Sequence, residues 1–146
     1  MKKILSFFAV IFLAATAASA QADRIVGTYS SVYEGIESKI KISKVDGGYR
    51  AQVVWVDNLY NPDGSLRTDI MNPDPAKRKT PANEIVLIQK ISYNSKKDQW
   101  DNGRIYEPTT GKTWTVTCYL EDNGRRLRVR GSLGPIGKSL YWTRVD

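Results

Sequence analysis

The chain predicts an all-β fold, an eight-stranded antiparallel up-and-down β-barrel. Three observations carry that prediction. Short segments of alternating apolar and polar residues recur along the chain. Tight-turn signals such as Asp46-Gly47-Gly48 and Asp122-Asn123-Gly124 separate them. Long crossovers are nearly absent, which favours sequential hairpins over the Greek keys of a β-sandwich, the competing architecture.

The first element lies outside the fold. Lys2 and Lys3 form a basic head, Ile4 to Ala17 an apolar run, and Ala18-Ser19-Ala20 a small-residue cleavage signal. Residues 1–20 therefore read as a signal peptide, and Gln21 to Asp146 as a single barrel domain. The apolar run is short and ends in small residues, so a retained anchor is the weaker reading. No cysteine stands at the cut, so a lipoprotein anchor is not indicated. The expected location is exported, periplasmic or extracellular, with no membrane span after cleavage.

Arg24 to Tyr29 reads as a first strand. Ile36 to Val45 alternates, with Ile36, Ile40 and Ile42 on one face and Glu37, Lys39 and Lys41 on the other. Tyr49 to Asp57 returns with Ala51, Val53 and Trp55 facing one way. Asn61-Pro62-Asp63-Gly64 then opens a long loop holding Asp69, Asn72, Asp74, Lys77, Arg78, Lys79 and Pro81. Pro73, Pro75 and Pro81 forbid a helix interior or a central strand there, because proline lacks an N–H and fixes φ. A stiff loop on a β scaffold is a place for function, or a brace for one end of the sheet.

Ile85 to Tyr93 is the next strand, and Trp100 to Tyr106 follows after a polar turn. Gly103 inside that strand predicts a bulge or a close backbone approach. Lys112 to Leu120 alternates so that Cys118 falls on the apolar face, a buried and inert thiol. Arg125 to Ser132 places Leu127 and Val129 on one face and Arg126, Arg128 and Arg130 on the other. Gly134-Pro135-Ile136-Gly137 turns into Ser139 to Val145.

Composition excludes several chemistries. There is no histidine and only one cysteine, so histidine-based triads, His-ligated zinc and an internal disulfide are ruled out. The net charge is +7, and removing Lys2 and Lys3 leaves +5. Nucleic acid is not an expected partner, since the aromatics do not interleave with the basic residues as a stacking platform needs. A small amphipathic or anionic ligand, or an envelope protein, fits this charge. An eight-stranded barrel either fills with side chains or holds one small ligand.

The motif set resembles the exported bacterial proteins of the domain of unknown function 2147 family. The residues that carry it are Asp69 with Asn72-Pro73-Asp74-Pro75 and Arg78, Trp100 with Gly103, and Ile105-Tyr106 with Pro108. Gly111-Lys112, Val129-Arg130-Gly131, Gly137 and Trp142-Thr143-Arg144 complete it. Tyr29, Asn83 and Trp114 depart from it, standing where tryptophan, glycine and tyrosine are expected. The resemblance implies a lipocalin-like barrel closed by Tyr29, Trp142 and Arg144, the arginine stacked over the first-strand aromatic. It implies no activity.

The candidate ligand-binding residues are Asp69, Asn72, Asp74, Arg78, Lys79, Trp100, Tyr106, Trp114 and Arg130. Trp100, Tyr106 and Trp114 are candidates to line a pocket. Arg78, Lys79 and Arg130 are candidates to take a carboxylate or phosphate. No catalytic residue, metal ligand or cofactor is assigned. The expected function is non-enzymatic binding at the barrel mouth, and two alternatives remain. One is a protein-interaction module or enzyme inhibitor using the 69–81 loop; the other is a hydrolase using Asp69 and Asp74. The sequence leaves the oligomeric state open.

Overall fold

A computed structural model describes residues 16–146. Most of the expected leader, residues 1–15, lies outside the described residues. Residues 16–22 are helical and run into a 3-10 turn at Asp23–Ile25. No helix among the described residues is long and apolar enough to cross a membrane.

Eight strands follow in order: β1 (Gly27–Tyr33), β2 (Ile36–Val45), β3 (Gly48–Val56), β4 (Val86–Asn94), β5 (Gln99–Glu107), β6 (Lys112–Glu121), β7 (Arg126–Leu133) and β8 (Ile136–Arg144). Each pairs antiparallel with the next, and β1 meets β8 to close the barrel. The eight-stranded antiparallel barrel expected from the alternation is the observed fold. Most hairpins sit where the Gly, Asn and Asp signals put them, because those residues accept positive φ at little cost.

Three local expectations fail for physical reasons. The first strand begins at Gly27, three residues late, because Asp23–Ile25 winds into a turn that pushes Ile25 into the barrel end. Trp55 does not face inward. Lys39 pairs with Trp55 and Ile40 with Val53, so Val54 is the extra residue of a β-bulge. Beyond that bulge the alternation reverses: Val54 and Trp55 face solvent, and Lys39 sits 5.0 Å over the Trp55 ring. The last turn is shorter than expected. Gly134 and Pro135 suffice, and Ile136 and Gly137 already belong to β8.

The Gly103 expectation holds. The register of β5 shifts between Trp100 and Gly103, and a Cβ at Gly103 would overlap the Ile91 side chain and the Lys90 carbonyl.

The core fills the lower end of the barrel. Ile42, Ile88, Val116, Cys118 and Leu127 are buried there with Trp100 and Tyr29. Burial pushes the Cys118 thiol up to about 12, so it stays protonated. The segment before β1 plugs this end. Tyr29 Oη donates to the Ile25 carbonyl (2.8 Å), and Trp100 Nε1 donates to the Ala22 carbonyl (3.0 Å).

Arg144 seals the same end as the barrel resemblance implied. Its guanidinium lies 4.9 Å over the Tyr29 ring and donates to the carbonyls of Arg24, Val26 and Gly124. A planar fork serves three acceptors and one ring face at once, which lysine cannot do. Gly27 leaves the room this needs, since a Cβ there would overlap Arg144 Nη1. With its lower end closed, the barrel can open only at the other end or along a seam.

Candidate functional site

The upper half of the barrel is not filled. A cavity of about 200 Å³ lies between its inner faces. Ile40, Val53, Leu87, Val129, Leu140 and Trp142 form its apolar wall. Arg67 and Ala82 of the β3–β4 loop and Pro108 and Thr109 of the β5–β6 turn also border it. At about 30 Å³ per water-sized group, the space holds roughly seven such groups.

One polar cluster stands at the rim of this apolar space. The Glu107 carboxylate, with only 12% of its side chain exposed, accepts from four donors. Tyr33 Oη (2.5 Å) and Lys138 Nζ (3.2 Å) reach Oε1; Trp114 Nε1 (2.9 Å) and Thr110 Oγ1 (3.0 Å) reach Oε2. Burial alone would raise its pKa. The bonds from Tyr33, Trp114, Thr110 and Lys138 outweigh that and carry it down to about 2.

Lys138 Nζ also donates to Tyr33 Oη (3.3 Å) and lies 4.8 Å from the Trp114 ring. Burial pulls its pKa down, but the bonds it donates to Tyr33 and Glu107 prevail and raise it, so it stays charged. Its side chain is 44% exposed. The cavity therefore offers an apolar pocket, a saturated carboxylate and an accessible ammonium. Arg67 adds a second cation, whose Nη1 donates to the Asn58 carbonyl (3.2 Å).

The expected site residues divide among different places. Tyr106 and Trp114 border the cavity, as does Trp142 of the closure set. Trp100 does not. It is fully buried at the closed end, with Tyr93 at 5.0 Å and Arg24 at 5.5 Å, because it stands at the start of β5, paired with the buried Cys118, while Tyr106 stands at the other end of the same strand.

Asp69, Asn72, Asp74 and Arg78 build the long loop rather than border the cavity. Asp69 is 3% exposed and accepts from Tyr106 Oη (2.7 Å) and Asn72 Nδ2 (2.8 Å). Asn72 Oδ1 accepts from the Asp74 N–H, and Arg78 Nε donates to the Asn72 carbonyl. Asp74 caps the short 3-10 turn Pro75–Lys77 by accepting from the Ala76 N–H (3.0 Å). Gly111, at φ +74°, lets the β5–β6 turn lie against the Met71 carbonyl. The loop is thus clamped onto β5 through the Asp69–Tyr106 bond.

Arg78, Lys79 and Arg130 are not gathered into an anion site. Lys79 is exposed on the loop, while Arg130 points outward from β7, its guanidinium lying over Gly137. Arg126 and Arg128 share that outer face, stacked on Tyr141 and Tyr119. Asp69 and Asp74 border one groove outside the barrel, yet their carboxylates are committed to loop bonds. Among the described residues no group of three Asp, Glu or Cys side chains is placed to hold a metal.

Tyr33, Glu107 and Lys138 were not singled out from sequence. The signal was the period-2 alternation continued past the assumed strand ends. Tyr33 shares the inward face of Tyr29, Glu107 that of Ile105, and Lys138 that of Leu140 and Trp142. Charged residues continuing an inward face mark a lined cavity.

A family model described as an uncharacterized protein conserved in bacteria (DUF2147) matches residues 27–144. The fold is similar to that of the Helicobacter pylori protein HP1028, whose description places it in the lipocalin family. The TM-score is 0.67 at 23% identity, covering 84% of this chain and 83% of that one. No curated protein matches the chain.

Proposed function

The chain belongs to the DUF2147 family of bacterial proteins, and from that premise we propose that it is an exported, non-enzymatic carrier of a small amphipathic anion. The observation that supports this reading best is a single cavity with two kinds of wall. Its apolar part favours about seven hydrocarbon groups at roughly 0.8 kcal/mol per buried CH₂. Its rim holds Lys138, a half-exposed ammonium, beside a Glu107 already saturated with donors. A carboxylate or phosphate head at Lys138 and Arg67, with its tail between Val129, Leu140 and Trp142, fits that polarity.

A medium-chain carboxylate such as octanoate matches the volume. The test is native mass spectrometry of the gently purified protein, with octanoate titration followed by NMR. A retained mass of a few hundred daltons, or saturable shifts at Trp114 and Trp142, supports the carrier. A bare mass with no saturable shift sinks it.

One observation favours protein contact as a second reading. Ile70 and Met71, at the tip of the 57–85 loop, are 73% and 52% exposed on a backbone that the Asp69 network holds rigid. Preordered apolar residues lose little entropy on docking. Co-purification of a second polypeptide, lost in Ile70→Ser/Met71→Ser, would move the function there.

A further inference from the structure

We propose that the β7–β8 hairpin docks the protein on an anionic lipid bilayer, its apolar tip in the interface and its cations on the headgroup phosphates. The proposal goes beyond the carrier reading and does not need it, since the hairpin is the same whether or not the cavity takes a ligand.

Charge is distributed unevenly along the chain. Arg125 to Val145 holds six basic residues and no acidic one. Outside that stretch and the leader lysines, acidic residues slightly outnumber basic ones, so the hairpin is the positive pole of the barrel. Arg126, Arg128 and Arg130 alternate along the outer face of β7, about 7 Å apart. Arg126 and Arg128 share one carboxylate, Glu121. Arg130 is exposed and has no carboxylate partner among the described residues; its guanidinium lies over Gly137, where a Cβ would overlap it. Tyr119 and Tyr141 stand in register on either side of Arg128. Aromatic rings with one polar end suit a membrane–water interface.

Apolar exposure is uneven too. In an up-and-down barrel the β1–β2, β3–β4, β5–β6 and β7–β8 connections share one end, here the end where the cavity lies. The turns of the closed end, at 46–47, 95–98 and 122–125, contain only Asp, Gly, Ser, Lys, Asn and Arg. The β7–β8 turn runs Leu133-Gly134-Pro135-Ile136, with Leu133 45% and Ile136 62% exposed. Both continue the inward phase of Val129 and Leu140, but past the rim no core remains to bury them. The tip stands clear of the rest of the protein: a Cβ at Gly134 would meet no atom within 4 Å.

These features are ordered along the hairpin as a bilayer is ordered along its normal. Leu133 and Ile136 lead. Arg130 follows three residues behind Leu133, or about 10 Å along the strand. Lys138, with its side chain 44% exposed, follows two behind Ile136. An interfacial segment sinks its apolar residues about 5–10 Å into the boundary between headgroups and acyl chains. The tip then reaches the acyl chains while Arg130 and Lys138 meet phosphates. A second copy of the chain is the poorer occupant, because it would bring two positive poles together.

The test is co-sedimentation of the folded protein with phosphatidylglycerol vesicles and with vesicles of phosphatidylcholine alone. The expected result is saturable binding to the first, about tenfold weaker to the second and reduced by salt. Leu133→Ser/Ile136→Ser should abolish it without lowering Tm, since both residues are exposed. Arg130→Gln should weaken it about fivefold. Lys96→Gln/Lys97→Gln, which removes exposed charge from the closed end, should leave it within about twofold. A protein that stays in the supernatant overturns the proposal, as does equal binding to both vesicles. Binding that survives Leu133→Ser/Ile136→Ser, or falls as far in Lys96→Gln/Lys97→Gln as in Arg130→Gln, overturns it as well. A dimer or co-purifying polypeptide lost in Leu133→Ser/Ile136→Ser, with no vesicle binding, assigns the tip to protein contact instead.

Discussion

Glu107→Gln tests the cluster at the cavity rim most directly. The native carboxylate is held near pKa 2 against an ordinary value of 4.5. At about 1.36 kcal/mol per unit, that depression corresponds to roughly 3 kcal/mol favouring the folded state. Lys138, with its side chain 44% exposed, is one of the donors and is screened by solvent, so about 2 kcal/mol is the working figure. This stability is present above the unfolded pKa and is lost as pH falls through the folded one. Glu107→Gln should therefore cost about 2 kcal/mol at pH 7, on the order of 8 °C in Tm. The difference between the proteins should shrink below pH 4.5 and vanish near pH 2. Urea denaturation of both at pH 7, 4 and 2.5 measures it. A cost independent of pH would mean that lost packing, not charge, explains the variant. No cost at pH 7 would refute the cluster as a stabilising unit.

The remaining predictions concern separate parts of the molecule. Val53→Phe should occupy part of the cavity and weaken octanoate at least tenfold while Tm changes by only a few degrees; unchanged affinity would place the ligand elsewhere. Asp69→Ala removes the acceptor of Tyr106 Oη and should cost about 1–3 kcal/mol, with faster proteolysis inside the 57–85 loop. If the loop resists protease as before, the Asp69–Tyr106 bond is not its clamp. Arg144→Lys should cost about 2–3 kcal/mol, because one ammonium cannot serve three carbonyls and stack on Tyr29; a neutral result in thermal melts would count against that account. Cys118, with its thiol pushed up to about 12, should react with a thiol reagent only as the protein unfolds, and rapid labelling of the native state would contradict its burial.

Reading from sequence succeeded where the physics is local and failed where it is not. The alternation of Arg126, Arg128 and Arg130 against Leu127 and Val129 sorted outside from inside correctly, since period 2 is a property of the strand itself. The same rule misplaced Trp55, because one extra residue at Val54 reverses it and nothing near Val54 announces a bulge. It also stopped too early at Tyr33, Glu107 and Lys138, whose partners lie on three different strands. Trp100 shows the complementary error: its residue type suits a pocket, but depth along the barrel decides whether an aromatic lines a cavity or fills a core.

The sequence by itself determined the class of fold, the strand count, most hairpins, and the absence of histidine and disulfide chemistry. Those follow from backbone preferences and side-chain alternation, which act over a few residues. Tertiary structure alone decided that the proline-rich loop is a brace, and that the upper half of the barrel stays empty. It also decided that Glu107, Tyr33 and Lys138 meet at the rim of that space. Each of these depends on how eight strands twist and stagger to close on one another. That closure is a property of the whole sheet, and no segment of the chain encodes it alone.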